Sequence, residues 1–196
     1  IKEGYYSYLV HFVAIKQLLF TRFWGYGPSV WLEDDGMSFQ IGYLHWILPL
    51  LILALIAIKF VNKSKIKKEF FNSEYVWVIL LLIGYGWFAA FMTHLRSHLI
   101  WENIDTITFL QFPWRFLGIV IFAFSFVSGA IVKVLDKKLL PKIATLLAIA
   151  VIVANFSYFR PESIGPLTDE EKFTGKAWEK LQTAGIYDYL PVTAST

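Results

Sequence analysis

IGYLHWILPLLILALIAIKFV, Ile41 to Val61, runs for 21 residues with one formal charge, Lys59. A helix needs roughly 20 predominantly apolar residues to cross the hydrocarbon core of a bilayer. Pro49 inside the run is tolerable where neighbouring helices satisfy the carbonyl that a proline leaves free. Three further runs have the same character: about Tyr75 to Met92, Phe116 to Val134 and Ile143 to Phe159. Gly84 and Gly86 in the second, and Gly118, Ser125, Ser128 and Gly129 in the third, are small residues that would let helices approach closely. The expected fold is therefore an all-α integral membrane protein with four transmembrane helices. The expected divisions are an outer segment over 1–40, a membrane region over 41–159 and a polar extracytoplasmic tail over 160–196.

Composition agrees with this. Hydrophobic residues make up 57% of the 196, aromatics 18%, and mean hydropathy is +0.54. Soluble domains run about 45–50% apolar even with glycine included. Many of the aromatics stand at the ends of the apolar runs, where amphipathic rings favour the lipid–water interface. The absence of cysteine excludes disulfides, thiolate metal sites and a cysteine nucleophile from this stretch. A net charge of +3 does not point to nucleic acid, because the lysines cluster beside the apolar runs. There they act on membrane orientation.

That orientation follows from the short loops. Lys59, Lys63, Lys65, Lys67 and Lys68 lie at or after the end of the first run. Lys133, Lys137, Lys138 and Lys142 lie between the third and fourth. Together these are 9 of the 18 basic residues. The intervening loop, His94 to Arg115, carries only Arg96 and Arg115. Basic loops stay on the cytoplasmic side, so the N-terminal segment, the middle loop and the tail are expected outside. The chain opens on Ile1 with no signal-peptide pattern and reads as an internal or C-terminal part of a longer protein.

The outer segments are not plain linkers. Residues 5–20, YYSYLVHFVAIKQLLF, are apolar but interrupted by His11, Lys16 and Gln17, which suits an interfacial or re-entrant helix. Gly25, Gly27, Pro28 and Gly36 break the chain after it. In the tail, Asp169, Glu170 and Glu171 are expected to start a helix reaching Leu181.

Candidate site residues gather in the middle loop. In QFPWRF, Gln111 to Phe116, Pro113 suits the first turn of a following helix. Trp114 and Arg115 would then stand at its outer mouth. Arg115 either pairs with an anionic phosphate through charge-assisted bonds or serves as an interfacial anchor. His94 and His98, four apart, would share a helix face. No Glu stands between them in the metalloprotease manner, and Arg96 opposes a cation there. They are read as groove residues beside Arg96, with no metal site assigned. Glu102 and Asp105 are expected to neutralise the arginines. Glu33, Asp34 and Asp35 form an acidic cluster able to offer hard oxygens to a divalent cation or to be an ordinary solvated turn. No cofactor motif is present. The spans hold almost no ionisable residue, which argues against an ion-coupled transporter.

Three strings taken together resemble a known group: WGYG…DGMSFQIG (Trp24 to Gly42), THLRSHLIWENIDTITFLQFPWRFLG (Thr93 to Gly118) and YDYLPV (Tyr187 to Val192). They resemble the C-terminal part of bacterial polytopic membrane proteins described as 6-pyruvoyl-tetrahydropterin synthase-related. Those are similar in turn to GT-C glycosyltransferases and to the YfhO family. The resemblance implies a bacterial inner-membrane protein that handles polyprenyl-phosphate-linked sugars in envelope assembly. The implied partners are membrane lipids, the lipid-linked sugar and further N-terminal helices of the same protein. In such transferases the catalytic acid lies in the first outer loop, a region with no counterpart in this chain, so no catalytic residue is carried over. Nor is pterin synthase activity, because the four histidines are not arranged like that enzyme's zinc ligands. The rival classes are a non-catalytic scaffold or lipid carrier, and part of a small-solute transporter.

The topology has a direct test, since no native cysteine interferes. Single Ser64→Cys and Ser163→Cys variants are exposed to an impermeant maleimide on intact cells. Position 163 is expected to label and position 64 to stay unlabelled; the reverse pattern overturns the orientation.

Overall fold

The computed structural model describes residues 7–25, 27–29, 36–61, 74–131, 137–159, 168–176 and 178–179, and among them every regular element is helical. A short helix, α1 (Ile15–Leu19), precedes the long α2 (Tyr43–Val61) and α3 (Glu74–Met92). Two short helices, α4 (His98–Asn103) and α5 (Asp105–Thr108), lead to α6 (Leu117–Gly129) and α7 (Leu140–Asn155). By contact the chain divides into two units, Ile1–Asn155 and Phe156–Thr196.

Two helices are long and apolar enough to cross a membrane, Tyr75–Met92 and Leu140–Phe159. The apolar helices Tyr43–Ile58 and Pro113–Gly129 are shorter. The four expected spans thus all appear as apolar helices, and two of them reach full spanning length. The third expected span continues in sequence to Val134, into residues outside the described set. So do most of the Lys-rich loop between α2 and α3, the cluster Glu33, Asp34 and Asp35, and the string YDYLPV.

The core of the first unit lies between α2, α3 and α6. On α3 the buried positions are Val76, Ile79, Ile83, Gly86, Ala89, Ala90 and Met92, mostly at the three- and four-residue spacing of one helix face. Ile52 and Ile56 of α2 and Val127 of α6 meet its first half. Val120 and Phe124 of α6 meet its second half, together with Val13, Leu18, Phe39 and Ile41 from the N-terminal segment. The outward face is just as apolar: Trp77 is 65% exposed, Leu81 68% and Phe88 50%. On α7 no residue is buried, and Leu146, Ile152 and Val153 stand open. A surface helix in water carries polar residues on its outer side; these do not.

Gly86 decides how closely α3 and α6 pack. A Cβ there would lie 2.4 Å from Phe124 Cε1, inside the contact distance of any real carbon pair. Gly84, Gly118 and Gly129 have nothing within 4 Å of such a Cβ. Of the small residues the sequence marks for close packing, Gly86 is the glycine that is used.

The N-terminal segment caps one end of this bundle. Its expected single helix over 5–20 is in fact a 3₁₀ turn, Tyr8–His11, then extended backbone and α1. The extended stretch exists because Val13 N–H donates to the Thr93 carbonyl at the end of α3, 2.9 Å away. Trp46 Nε1, near the start of α2, donates to Leu19 O at 3.2 Å. Trp114, before α6, packs on Phe39. Arg22 donates to the Ala154 carbonyl in the last turn of α7, where the helix dipole favours a cation. The start of α2, the end of α3, the start of α6 and the end of α7 all meet this segment. That is the alternation of an up–down bundle.

In the second unit the acidic start falls where expected, at Asp169, but α8 (Asp169–Phe173) stops early. Gly175 takes φ 64°, the left-handed position that ends helices. The expected helix is interrupted at Thr174 and resumes, with Gly175, Lys176, Trp178 and Glu179 helical again; 180–181 lie outside the described residues. Phe173 and Trp178 meet edge to face across the break, 5.7 Å between centroids.

Gly86→Ala is expected to lower stability in detergent by about 1–3 kcal/mol, the usual cost of overpacking a tight contact. Gly84→Ala, facing open space, should leave the melting temperature nearly unchanged. Equal effects at the two positions would show that α3 and α6 are not pressed together at Gly86.

Candidate functional site

The end of α3 builds the site. The last carbonyls of a helix lack partners within it, and here the final three are met from outside the helix. Ala90 O accepts from Thr93 Oγ1 at 2.7 Å, and Phe91 O from His94 N at 3.0 Å. Met92 O accepts from Ser97 Oγ (3.1 Å) and from Trp101 Nε1 (3.2 Å). Trp101 is wholly buried, with Tyr8 stacked at 5.4 Å and Phe12 and Phe116 edge-on. It fixes α4 against α3 and so fixes the turn Leu95–Ser97 between them.

This turn corrects the histidine reading. His94 has extended backbone (φ −96°, ψ 146°), so His94 and His98 do not share a helix face. His94 Nδ1 instead accepts from the Arg96 N–H at 3.1 Å and caps the turn. His98 starts α4, and its Nε2 stands 3.6 Å from Glu102 Oε2. Its Nδ1 is buried without a partner among the described residues. Glu102 therefore pairs with His98 rather than with an arginine, and Arg96 and Arg115 form no ion pair among the described residues. No group of three or more His, Cys, Asp or Glu there is placed to share a metal ion.

His94 and Arg96 stand at the polar end of a groove of about 270 Å³. Ile15, Leu18 and Leu19 of α1 form one wall and Trp87, Ala90 and Phe91 of α3 the other. Ile41 closes it, tied by its N–H to Leu18 O at 2.8 Å. Trp87 Nε1 is a buried donor with no partner among the described residues. Partial burial, and then the charge of Arg96, push the His94 pKa below the ordinary 6.5. Protonation would also remove the Nδ1 lone pair that holds the Arg96 N–H. The neutral ring is thus the form that fits the turn. Against Trp101, burial and then the Glu102 carboxylate raise the Tyr8 pKa, which favours the protonated phenol.

QFPWRF takes another course. Pro113 opens a 3₁₀ turn, Pro113–Phe116, that feeds α6, as its place in the sequence suggests. The exposed Arg115 guanidinium lies over the Phe112 ring at 5.1 Å. Phe112 stacks on Trp114 at 5.1 Å and takes the His11 ring edge-on at 4.7 Å. Trp114 Nε1 is another buried donor without a partner among the described residues. Arg115 and Trp114 belong to this aromatic stack; Arg96 and His94 belong to the groove. Gln111 just ahead has φ 64°, a conformation costing a non-glycine residue about 1–3 kcal/mol. It turns the chain so that Phe112 can stack.

Sequence reasoning missed Trp87, whose unpartnered N–H is visible only once α3 is packed. It missed Arg22, whose partner lies 132 residues away, and Gln111, whose residue type gives no sign of a left-handed turn. No family model matches this chain, and comparison with curated proteins and with solved structures gave no match either.

The unfolded chain protonates His94 near its ordinary pKa of 6.5, and the folded chain only at lower pH. Between those values the unfolded state holds more protons, so stability rises with pH and falls on acidification. His94→Asn keeps a side-chain acceptor suited to capping but cannot titrate. The variant is expected to lose less melting temperature than the parent between pH 7 and pH 5. Identical pH profiles would remove His94 from the explanation.

Proposed function

We propose that this chain is an integral membrane protein in which α2, α3, α6 and α7 each cross the bilayer, with the end capped by residues 12–41 facing outward. The support is the apolar outward face of α3 and the wholly unburied, apolar α7. In water such surfaces exceed what a monomer normally exposes; in lipid they are ordinary. At ~1.5 Å per residue, the 19 residues of α2 extend about 28 Å, close to the ~30 Å hydrocarbon thickness. The Lys-rich loops then lie on the cytoplasmic side of a bacterial inner membrane.

Within that frame the protein holds an anionic amphiphile, a polyprenyl-phosphate-type lipid, and works on lipid-linked sugars in envelope assembly. The observation that carries this is the groove: an apolar trough with His94 and Arg96 at its end, the arginine in no ion pair among the described residues. Arg96 would take the phosphate by charge-assisted bonds, with His94 as a further donor. The hydrocarbon would lie along Ile15, Leu18 and Phe91. Arg115, with Phe112 and Trp114, would anchor the neighbouring interface, as stacked aromatics and cations do there.

Among the described residues no carboxylate lines the groove, and His94 is the lining group able to act as a general acid or base. The transferase reading needs its catalytic acid from outside this chain, as the resemblance implies.

Arg96→Gln, in protein reconstituted in nanodiscs, is expected to weaken binding of a polyprenyl phosphate about tenfold or more, as loss of a charged hydrogen bond would. Arg115→Gln should change it less. Unchanged affinity in Arg96→Gln would remove the groove from the reading.

A further inference from the structure

At the end of α3 away from the groove, α3 and α6 leave a cleft of about 460 Å³ between them. Val78, Ile79 and Leu82 of α3 form one wall, and Ser125, Phe126 and Gly129 of α6 the other. No charged residue lines it among the described residues. A Cβ on Gly129 would meet nothing within 4 Å, so the α6 backbone is open there. Ser128 Oγ donates to the Phe124 carbonyl at 2.7 Å, but the exposed Ser125 hydroxyl makes no hydrogen bond among the described residues. A hydroxyl turned toward acyl chains finds no partner in them. Within membranes serine bonds instead from one helix to the next, and glycine lets the two backbones approach.

α7 carries a matching surface. Half-buried Ile143, Leu147, Ala150 and Ala154 recur at the three- and four-residue spacing of one helix face. That face turns toward its own chain, and Arg22 pins it there through the Ala154 carbonyl. The opposite face, with Thr145, Ala148, Ile149 and Ile152, is exposed and uncharged. Its Thr145 hydroxyl also makes no hydrogen bond among the described residues. The two open hydroxyls stand at matching depth. At ~1.5 Å per residue, Ser125 lies about 6 Å before the end of α6 at Gly129, and Thr145 about 7.5 Å past the start of α7 at Leu140. One span ends on the side where the next begins, so both hydroxyls lie in the inner half of the bilayer.

We propose that a second copy of this chain seats its α7 in the α3–α6 cleft, with Thr145 bonded to Ser125. Gly129 leaves room for the first turn of the incoming helix, and Ala148 comes level with Leu82. The occupant is a second copy because this chain holds both halves of the contact, a charge-free cleft and a charge-free helix face, each with an open hydroxyl at the same depth. The match in depth rests on the bilayer-spanning reading above and not on the lipid-phosphate groove, with which the cleft shares no lining residue.

The test uses whole chains in membranes, where the lack of native cysteine keeps introduced pairs clean. Two differently tagged copies are co-expressed, one carrying Ser125→Cys and the other Thr145→Cys, and are mildly oxidised. A disulfide needs Cβ atoms roughly 3.5–4.5 Å apart, so a linked pair bearing both tags is the expected product. Placed together in one chain, the two cysteines should likewise link chain to chain. Gly129→Leu, added to the Ser125→Cys copy, has room in the lone chain and is expected to abolish the mixed pair. Gly84→Leu, equally open but outside the cleft, should leave it intact. The proposal is overturned by absence of the mixed pair, by closure within a single chain, or by an equal yield from either cysteine variant alone. Equal effects of Gly129→Leu and Gly84→Leu overturn it too. Labelling at positions 64 and 163 reads the topology separately, so a wrong orientation and an empty cleft are told apart.

Discussion

The open carbonyls at the ends of α1 and α3 are the constraint on which the rest of this structure depends. A helix end that lacks both water and protein partners is costly, and neither end here is left that way. The end of α3 takes donors from Thr93, His94, Ser97, Trp101 and Val13. The end of α1 takes Ile41 N–H at Leu18 O, Trp46 Nε1 at Leu19 O and the Tyr43 hydroxyl at Phe20 O. Each donor brings a segment with it. Val13 brings the N-terminal stretch over the bundle, Trp101 brings α4, and Trp46 and Tyr43 bring the start of α2. The groove beside α1 is a by-product of this wiring.

Much of the bundle was legible in the residues. Four apolar runs appear as four helices within a residue or a few of their expected bounds, because hydrophobic length needs no tertiary information. The runs at Ile41 and Tyr75 are the clearest cases. What escaped depends on contacts distant in sequence or on backbone conformations that residue type does not mark. The 5–20 segment reads as one helix until Val13 is seen to need the Thr93 carbonyl. His94 and His98 read as a helical pair until His94 is seen to cap a turn with its own ring. Gly175 marks a legible break, since glycine readily takes the left-handed turn, yet the chain is helical again from that residue.

The site was legible in its residue types more than in its geometry. Arg96 and His94 do share a groove, and their neighbours are apolar as an amphiphile requires. Arg115 and Trp114, adjacent in motif to the same loop, belong to a separate stack around Phe112. The division follows from Gln111: its left-handed turn ends α5 and sends Phe112 toward His11. Sequence order placed these residues near one another, and one backbone dihedral decided which of them could face the same cavity.

The glycine contact ahead of α2 has a consequence for how the chain tolerates change. Gly27 N–H donates to Gly36 O at 2.8 Å and Gly36 N–H to Pro28 O at 2.9 Å. A Cβ on Gly36 would fall 2.6 Å from Gly27 Cα. The chain therefore leaves and returns through a neck two backbones wide. The entropy of closing a loop grows only slowly with its length. A side chain on Gly27 or Gly36 would force the two backbones apart whatever the length of chain between them, so these two positions, and not that length, are what the neck holds fixed.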